Sequence, residues 1–451
     1  MYDISTGFPS EPPIEIAVKA FITRNLQRII INYHILITLP GVSIFTKAKV
    51  VFNEYPRTFW TLTGTVFIDS LGGALLFPFF ALYVTQKFGV GMIEVGVLFA
   101  ILSGARIIGS FLSGALTDKI GRRLLMIYGL IFSAGSSLLM AFIEDMTIFY
   151  LAVFFVGLLS SIGGPAQQAM VADLLPEKQR ADGYGLLHVS DNLAHTIGPM
   201  IGGLLAEISY ILLFFIDAAL SIITAIIIYF ALTETQPQKS DKQAKESMAD
   251  ILGGYWRVAK NGVFMAFFAI AILMKLVYRQ MGTTLPVFLR DIHGVPPQGY
   301  GWLLSLNAAI VVLFQFMITR KTSQFKPMKV MAVGTFLYAV GFAMYGFVSI
   351  SMFFFIAMAI ITIGEMFISP IGQSLVARFA PEDMRGRYMA FFGFSWTIPS
   401  LFGPLAAGLI MDNFDPNLVW YLAGVIGLIA ALGYWQLNNM VEKNISKSSP
   451  A

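Results

Sequence analysis

Five ionisable side chains, Asp69, Arg106, His195, Lys275 and Glu365, stand deep inside long apolar stretches of this 451-residue sequence. The chemistry open to buried carboxyls and an imidazole is the uptake and release of protons, because burial and changing access to water move their protonation equilibria. Arg106 and Lys275, with Arg279 one helical turn past Lys275, suit a second task, the clamping of an anionic or polar ligand. An ionised group costs at least about 3 kcal/mol in hydrocarbon, so each must face a bundle interior, a partner or a wet cavity. Asp69 precedes Leu76-Phe77-Pro78, where a proline bends a helix and frees carbonyls. Asp69 and Glu365 read either as carriers of coupled protons or as fixed salt-bridge partners of Arg106, Lys275 or Arg279. His188, Asp191 and His195 are spaced by three and four, hence share a helix face and form a candidate proton path. Alternatively, His188 reaches for the polar boundary while Asp191 bonds a neighbouring helix. Tyr278 and Trp396, with Phe79, Tyr83, Trp302 and Phe392, either wall a pocket for a large apolar ligand or serve as packing.

The elements that position these residues follow from composition. Of all residues 57% are hydrophobic and 12% charged, more apolar surface than a soluble fold hides. There is no cysteine, which excludes disulfides, thiol catalysis and cysteine-ligated metal. No phosphate-binding glycine loop, nucleophile elbow or metal-ligand cluster occurs, so neither an enzyme nor a cofactor, metal or nucleic-acid partner is expected. Twelve apolar runs are each long enough to cross about 30 Å of hydrocarbon. They are 58–86, 93–116, 123–142, 147–171, 184–208, 210–232, 262–288, 299–319, 328–348, 351–376, 387–411 and 417–438. Counted at about 1.5 Å per residue, the five ionisable groups share one depth, which points to one shared cavity. Alternate loops and the tail hold 19 Lys and Arg, whereas the opposite loops hold Lys87 and Arg290, so both termini are expected at the cytoplasmic face.

Residues 165–204, offset by 205 without a gap, fall on 370–409 with 12 identities in 40. Gly198-Pro199 matches Gly403-Pro404, Gly203-Leu204 matches Gly408-Leu409, and Arg180 matches Arg385. These are turn, charge and packing residues, and a duplicated membrane scaffold of this kind places a site where its halves meet.

Between spans two and three lies a loop with Gly114, Asp118, Lys119, Gly121, Arg122 and Arg123. Its glycines permit a tight reversal, the aspartate can accept from amides at a helix start, and the arginines anchor in the headgroup layer. This resembles the signature loop of the major facilitator superfamily, where such residues latch the halves together on the cytoplasmic side. At the equivalent place in the second half Asp118 becomes Ser323, which implies a stronger latch in the first. Span five carries Gly198, Pro199, Gly202 and Gly203, similar to the glycine-proline motif of the superfamily's antiporters, although Ala194 and His195 stand where glycine is expected. Span four lacks the arginine and Gln-Gly pair that many drug antiporters place there. The resemblance implies that spans one, two, four, five, seven, eight, ten and eleven line a central cavity. Spans three, six, nine and twelve would be peripheral, with Asp217 their one deep acid.

The expected organisation is an extension 1–54, a six-helix bundle 55–233, a linker 234–261, a second bundle 262–440 and a tail 441–451. For the extension, an interfacial segment, a disordered one and a start assigned too far upstream stay open. The linker's second part mixes Tyr255 and Trp256 with Arg257 and Lys260, which suits either a helix in the headgroup layer or a solvated connection. The fold class is an all-α membrane protein of twelve helices in two pseudo-symmetric bundles, as in bacterial twelve-helix drug/proton antiporters. Such a protein sits in the lipid bilayer of the cell membrane as a monomer and moves a small-molecule substrate together with protons. Export of amphipathic or drug-like compounds is the leading expectation. The alternatives are uptake of a polar metabolite such as a sugar or organic anion and, more remotely, a sensor or enzyme without transport.

Overall fold

Asp145, Ser209 and Asn261 stand just ahead of apolar runs, where the first amides of a helix lack partners. Their side chains accept from the backbone amides of Ile148 (2.9 Å), Ile211 (3.3 Å) and Phe264 (3.1 Å) in a computed structural model, and start spans four, six and seven. Glycines stop others. Gly89 and Gly294, separated by the repeat offset of 205, both take the left-handed conformation, with φ 63° and 66°, that a side chain would strain.

The structure describes residues 52–160, 163–235, 248–322, 324–381 and 384–448; within the helices, the side chains of 110–119, 178, 181, 248–252, 316, 373, 377, 385, 386 and 441–448 are outside the description. The extension up to residue 51, linker residues 236–247 and the side chains of Gly114, Asp118 and Lys119 therefore lie outside the described residues. Within the unit of residues 1–60, Trp60 donates to the Phe52 carbonyl at 2.9 Å and stacks on its ring. Residues 61–451 form one compact unit.

Span one is the helix Arg57–Leu76, a 3-10 turn Phe77–Phe79 around Pro78, and the helix Phe80–Phe88. Span seven breaks at the matching point, into Gly262–Thr283 and Leu285–His293. Spans two and three are Met92–Ile120 and Arg122–Phe142, and span four is Met146–Ser160 with Gly163–Leu174. Spans five and six are Glu177–Ile208 and Tyr210–Ala231. Spans eight to twelve are Pro297–Thr322, Pro327–Phe347, Ser351–Phe379, Arg385–Asn413 and Leu418–Ser448. Eleven of the twelve are long and apolar enough to cross a membrane. Span five is the longest, at 32 residues, but His188, Asp191, Asn192 and His195 make it too polar to qualify by composition. A helix this polar crosses lipid when its neighbours shield it. Lipid-facing character shows on spans three, four and six, where Ile131, Leu139, Phe155, Ile226 and Phe230 are exposed.

Two seams join the halves: span two packs on span eleven, and span five on span eight. Membrane helices associate through close packing because lipid is as apolar as leucine, and small residues permit it. The repeat glycines do this twice. Gly203 abuts Gly301 of span eight, and its counterpart Gly408 abuts the Met92 backbone of span two. Gly96 lies on the backbone of Pro404 and Leu405. Asp412 completes the seam between spans two and eleven by accepting from the amides of Met92 (2.9 Å) and Ile93 (2.7 Å). These contacts lie at the ends of the helices away from the basic loops. The helix Met248–Ala259 packs on span eleven, with Val258 buried, Tyr255 against the Phe391 ring and Trp256 exposed.

Candidate functional site

The ionisable residues singled out from the sequence occupy three cavities, not the one shared cavity their common depth suggested. Depth fixes height within a helix and says nothing of which face a side chain takes.

The first cavity, about 620 Å³, lies between the halves and is lined by spans one, two, five, seven and eleven. Phe77, Ser103, Arg106, His195, Arg279 and Trp396 face it. The Arg279 guanidinium lies 5.2 Å from the Phe77 ring and 5.8 Å from that of Phe99, so aromatic faces support its charge. Its Nε is buried without a hydrogen-bond partner.

The second cavity, about 220 Å³, is inside the first half, and Asp69 opens into it beside Ser133, Ser160 and Gln167. Ser221 stands beside Asp69, and the carboxylates of Asp217 and Asp191 are its acidic neighbours. Asp217 is buried in span six, accepts a hydrogen bond from Ser137 and leaves room for no side chain at Gly72. Asp191 accepts from Ser70 at 2.6 Å, and the His195 Nδ1 stands 3.7 Å from its carboxylate and 3.0 Å from its carbonyl. His188 is exposed, one turn away.

The third cavity, about 110 Å³, is inside the second half and is lined by Lys275, Tyr278, Tyr338, Glu365, Trp396 and Tyr434 among others. Lys275 is buried, donates to the Ser395 hydroxyl at 2.6 Å and lies 4.2 Å and 4.4 Å from the rings of Phe392 and Trp396. Glu365 accepts from the Tyr278 hydroxyl and the Asn307 amide, both at 2.9 Å. The buried Tyr434 hydroxyl has no partner.

The second and third cavities are one design built twice. An offset of 205 carries Val66, Asp69, Met126 and Ser133 onto Ala271, Met274, Met331 and Tyr338. It carries Ser160, Gly163, Gly164 and Gln167 onto Glu365, Ile368, Ser369 and Gly372. The acid sits on span one in the first copy and on span ten in the second. The tyrosine in place of Ser133 helps to explain the smaller volume of the second.

Two sequence expectations change accordingly. Lys275 and Tyr278 do not join Arg106 and Arg279 in the central cavity; their faces of span seven turn into the second half, and Trp396 lines both spaces. Asp217, placed on a peripheral span, proves to face inward next to Asp69, because Gly72 lets spans one and six approach. The sequence carried one signal for it, a lone carboxylate in an otherwise apolar span. Asn307 and Tyr434 gave none. Of the aromatics, Tyr83 is buried against Phe214 and donates to the Met140 carbonyl at 2.8 Å, a packing role.

In the basic loop, Gly121 takes φ 99°, as the tight reversal requires. Glu234 accepts from the amides of Arg122 (2.9 Å) and Arg123 (3.1 Å) and so caps span three. The Arg122 side chain meets Asp173 at 3.2 Å, and Arg123 donates to the Tyr229 carbonyl, so these arginines bond within their own half and the segment just after it. In the span-five motif, Gly198 packs on Ala74, Gly202 on Leu75, and the Pro199 carbonyl lies on Gly301. Span five thus touches span one and span eight together, which a bulkier helix would prevent.

Comparison with known proteins accords with this geometry. The family model described as Major Facilitator Superfamily matches residues 62–299 and 280–450. A Na(+), Li(+), K(+)/H(+) antiporter of Planococcus maritimus is 27% identical over 389 residues, which cover 79% of this chain and 89% of the relative. Multidrug resistance protein MdtH of Yersinia enterocolitica is 24% identical over 374 residues, covering 82% and 91%. Among solved structures, the nucleoside transporter NupG superposes with a TM-score of 0.70 at 14% identity, covering 85% of this chain and 99% of that one. These relatives are transporters, not enzymes.

Proposed function

The chain belongs to the major facilitator superfamily, and from that premise we propose that it is a proton-coupled secondary transporter that exports small amphipathic compounds by alternating access. One observation carries the reading: a cavity of about 620 Å³ lies between the halves, lined by rings and ionisable groups from both. Its volume suits a drug-sized ligand. Asp69 and Glu365 are the proton carriers in this reading, each in the inner cavity of its own half. A carboxylate that serine, tyrosine or asparagine groups hold, without a fixed cation, can bind and release a proton as water reaches it. His195 with Asp191 offers a relay between the first-half cavity and the central one, with His188 at its outer end. The protein acts as a monomer in the cell membrane with both termini cytoplasmic. That orientation makes the joined ends extracellular and the conformation described here inward-facing. The loop residues Gly114, Asp118, Lys119, Gly121, Arg122 and Arg123 would latch the halves in the opposite state.

The test is flux in proteoliposomes. An imposed pH gradient should drive uphill movement of an amphipathic substrate, and Asp69→Asn should leave downhill movement while abolishing the coupling. Unchanged coupling in Asp69→Asn would remove Asp69 from the mechanism. A second reading, exchange of an alkali cation for protons, is favoured by Asp69, Asp191 and Asp217 gathered among serine hydroxyls, and by the name of the Planococcus relative. Release of protons on adding sodium, lithium or potassium salts to the same vesicles would select it.

A further inference from the structure

We propose that the central cavity binds the anionic end of its ligand, so that the compounds carried are amphipathic acids; this rests on the transport reading above and narrows its substrate class. Arg106 of span two and Arg279 of span seven reach one cavity from opposite halves, close enough for their charges to interact. His195 lines it as well, and among the described residues lining it there is no carboxylate. The deep acids nearby are placed elsewhere: Asp69 opens into the first half's own cavity, Asp191 is held by Ser70, Asp217 by Ser137, and Glu365 by Tyr278 and Asn307. Aromatic faces hold the Arg279 guanidinium, and its Nε is a buried donor without an acceptor. Leaving such a donor unmade is costly, and a carboxylate, sulfonate or phosphate oxygen satisfies it with the strongest class of hydrogen bond. Phe77, Pro78, Ile107 and Trp396 supply an apolar wall for the remainder of the ligand. Like charges on the two halves repel across the cavity, and an anion seated between them draws the halves together. Occupancy thereby acts on the motion that moves the ligand.

The test uses the full chain in detergent and two probes with the same ring and opposite charge, naphthylacetate and naphthylmethyl-trimethylammonium, with binding measured by calorimetry. The acid should bind at least about tenfold tighter, and Arg279→Gln should weaken the acid by about tenfold or more while binding the cation as well as before or better. Arg279→Lys should keep part of the preference. If Arg279→Gln does not yield a monodisperse protein, Arg106→Gln gives the same comparison. Equal or tighter binding of the cation, a parallel loss of both probes in Arg279→Gln, or binding of neither by folded protein would overturn the inference. Vesicle flux separates it from the transport reading. An acid that binds but is never moved defeats transport and leaves the anion site standing, whereas a cation driven by a pH gradient with no acid binding does the reverse.

Discussion

Removing the Asp412 carboxylate should loosen the end of the molecule where the halves meet. That carboxylate sits in one half and caps a helix of the other, through the Met92 and Ile93 amides at 2.9 and 2.7 Å. The bonds exist only while this end is closed, so their whole contribution biases the conformational equilibrium. Replacing a helix cap by alanine costs about 0.5 to 2 kcal/mol. Hydrogen bonds to an ionised group contribute about 1.5 to 3 kcal/mol when shielded, but the Ile93 bond is exposed. We therefore expect Asp412→Ala to remove about 1 to 2 kcal/mol from the closed end and change the closed-to-open ratio roughly 5- to 30-fold. Asp412→Asn, which keeps one acceptor, should fall between. The assay is clean because the sequence contains no cysteine. Gln86→Cys and Phe414→Cys, at exposed positions on opposite halves at this end, introduce the two thiols for spin labels. Pulsed electron resonance should then show a growing long-distance population in Asp412→Ala. An unchanged distance distribution in a folded variant would refute the reasoning.

Two further outcomes concern stability. A methyl group at Gly72 would stand 2.6 Å from the Asp217 carboxylate and 3.3 Å from its Cα, whereas nothing lies within 4 Å of one at Gly64. Thermal unfolding in detergent should show Gly72→Ala destabilised by about 1 to 3 kcal/mol and Gly64→Ala neutral or stabilised by up to about 1 kcal/mol; equal shifts would contradict the packing described. His293, the last residue of the helix Leu285–His293 and five positions past the apolar run 262–288, lies 5.1 Å from the Phe288 ring and 4.8 Å from that of Phe354, and burial pushes its imidazole below the usual histidine value. The unfolded chain then binds this proton more tightly than the folded one, so stability should fall as pH drops from about 7 to about 5. His293→Phe should flatten that acid limb, and an identical slope in both proteins would rule out this histidine as its source.

Much of the fold was legible because lipid imposes so few solutions. Apolar runs of membrane length, basic residues in alternate loops and the 205-residue repeat lead to twelve helices in two bundles. Span five shows why composition alone is insufficient: its polar residues lower its hydropathy below that of a free-standing span, and the helix exists because spans one and eight pack on its glycines. The site was less legible. Asp69, Arg106, Lys275 and Glu365 were found because charge in hydrocarbon is rare, but their division among three cavities depends on helix rotation. Rotation is set by contacts such as Gly72 on Asp217 and Ser70 on Asp191, which no single-helix pattern reports.

The two seams carry a further consequence. Where Gly203 meets Gly301 and Gly408 meets Met92, backbone lies on backbone with no side chain between. Contact that close leaves no width for a file of water molecules, so it insulates one compartment from the other against leakage of protons. An enlarged residue at these glycines would then do more than slow the cycle: it would prop the barrier ajar and let a gradient dissipate without any cargo being carried.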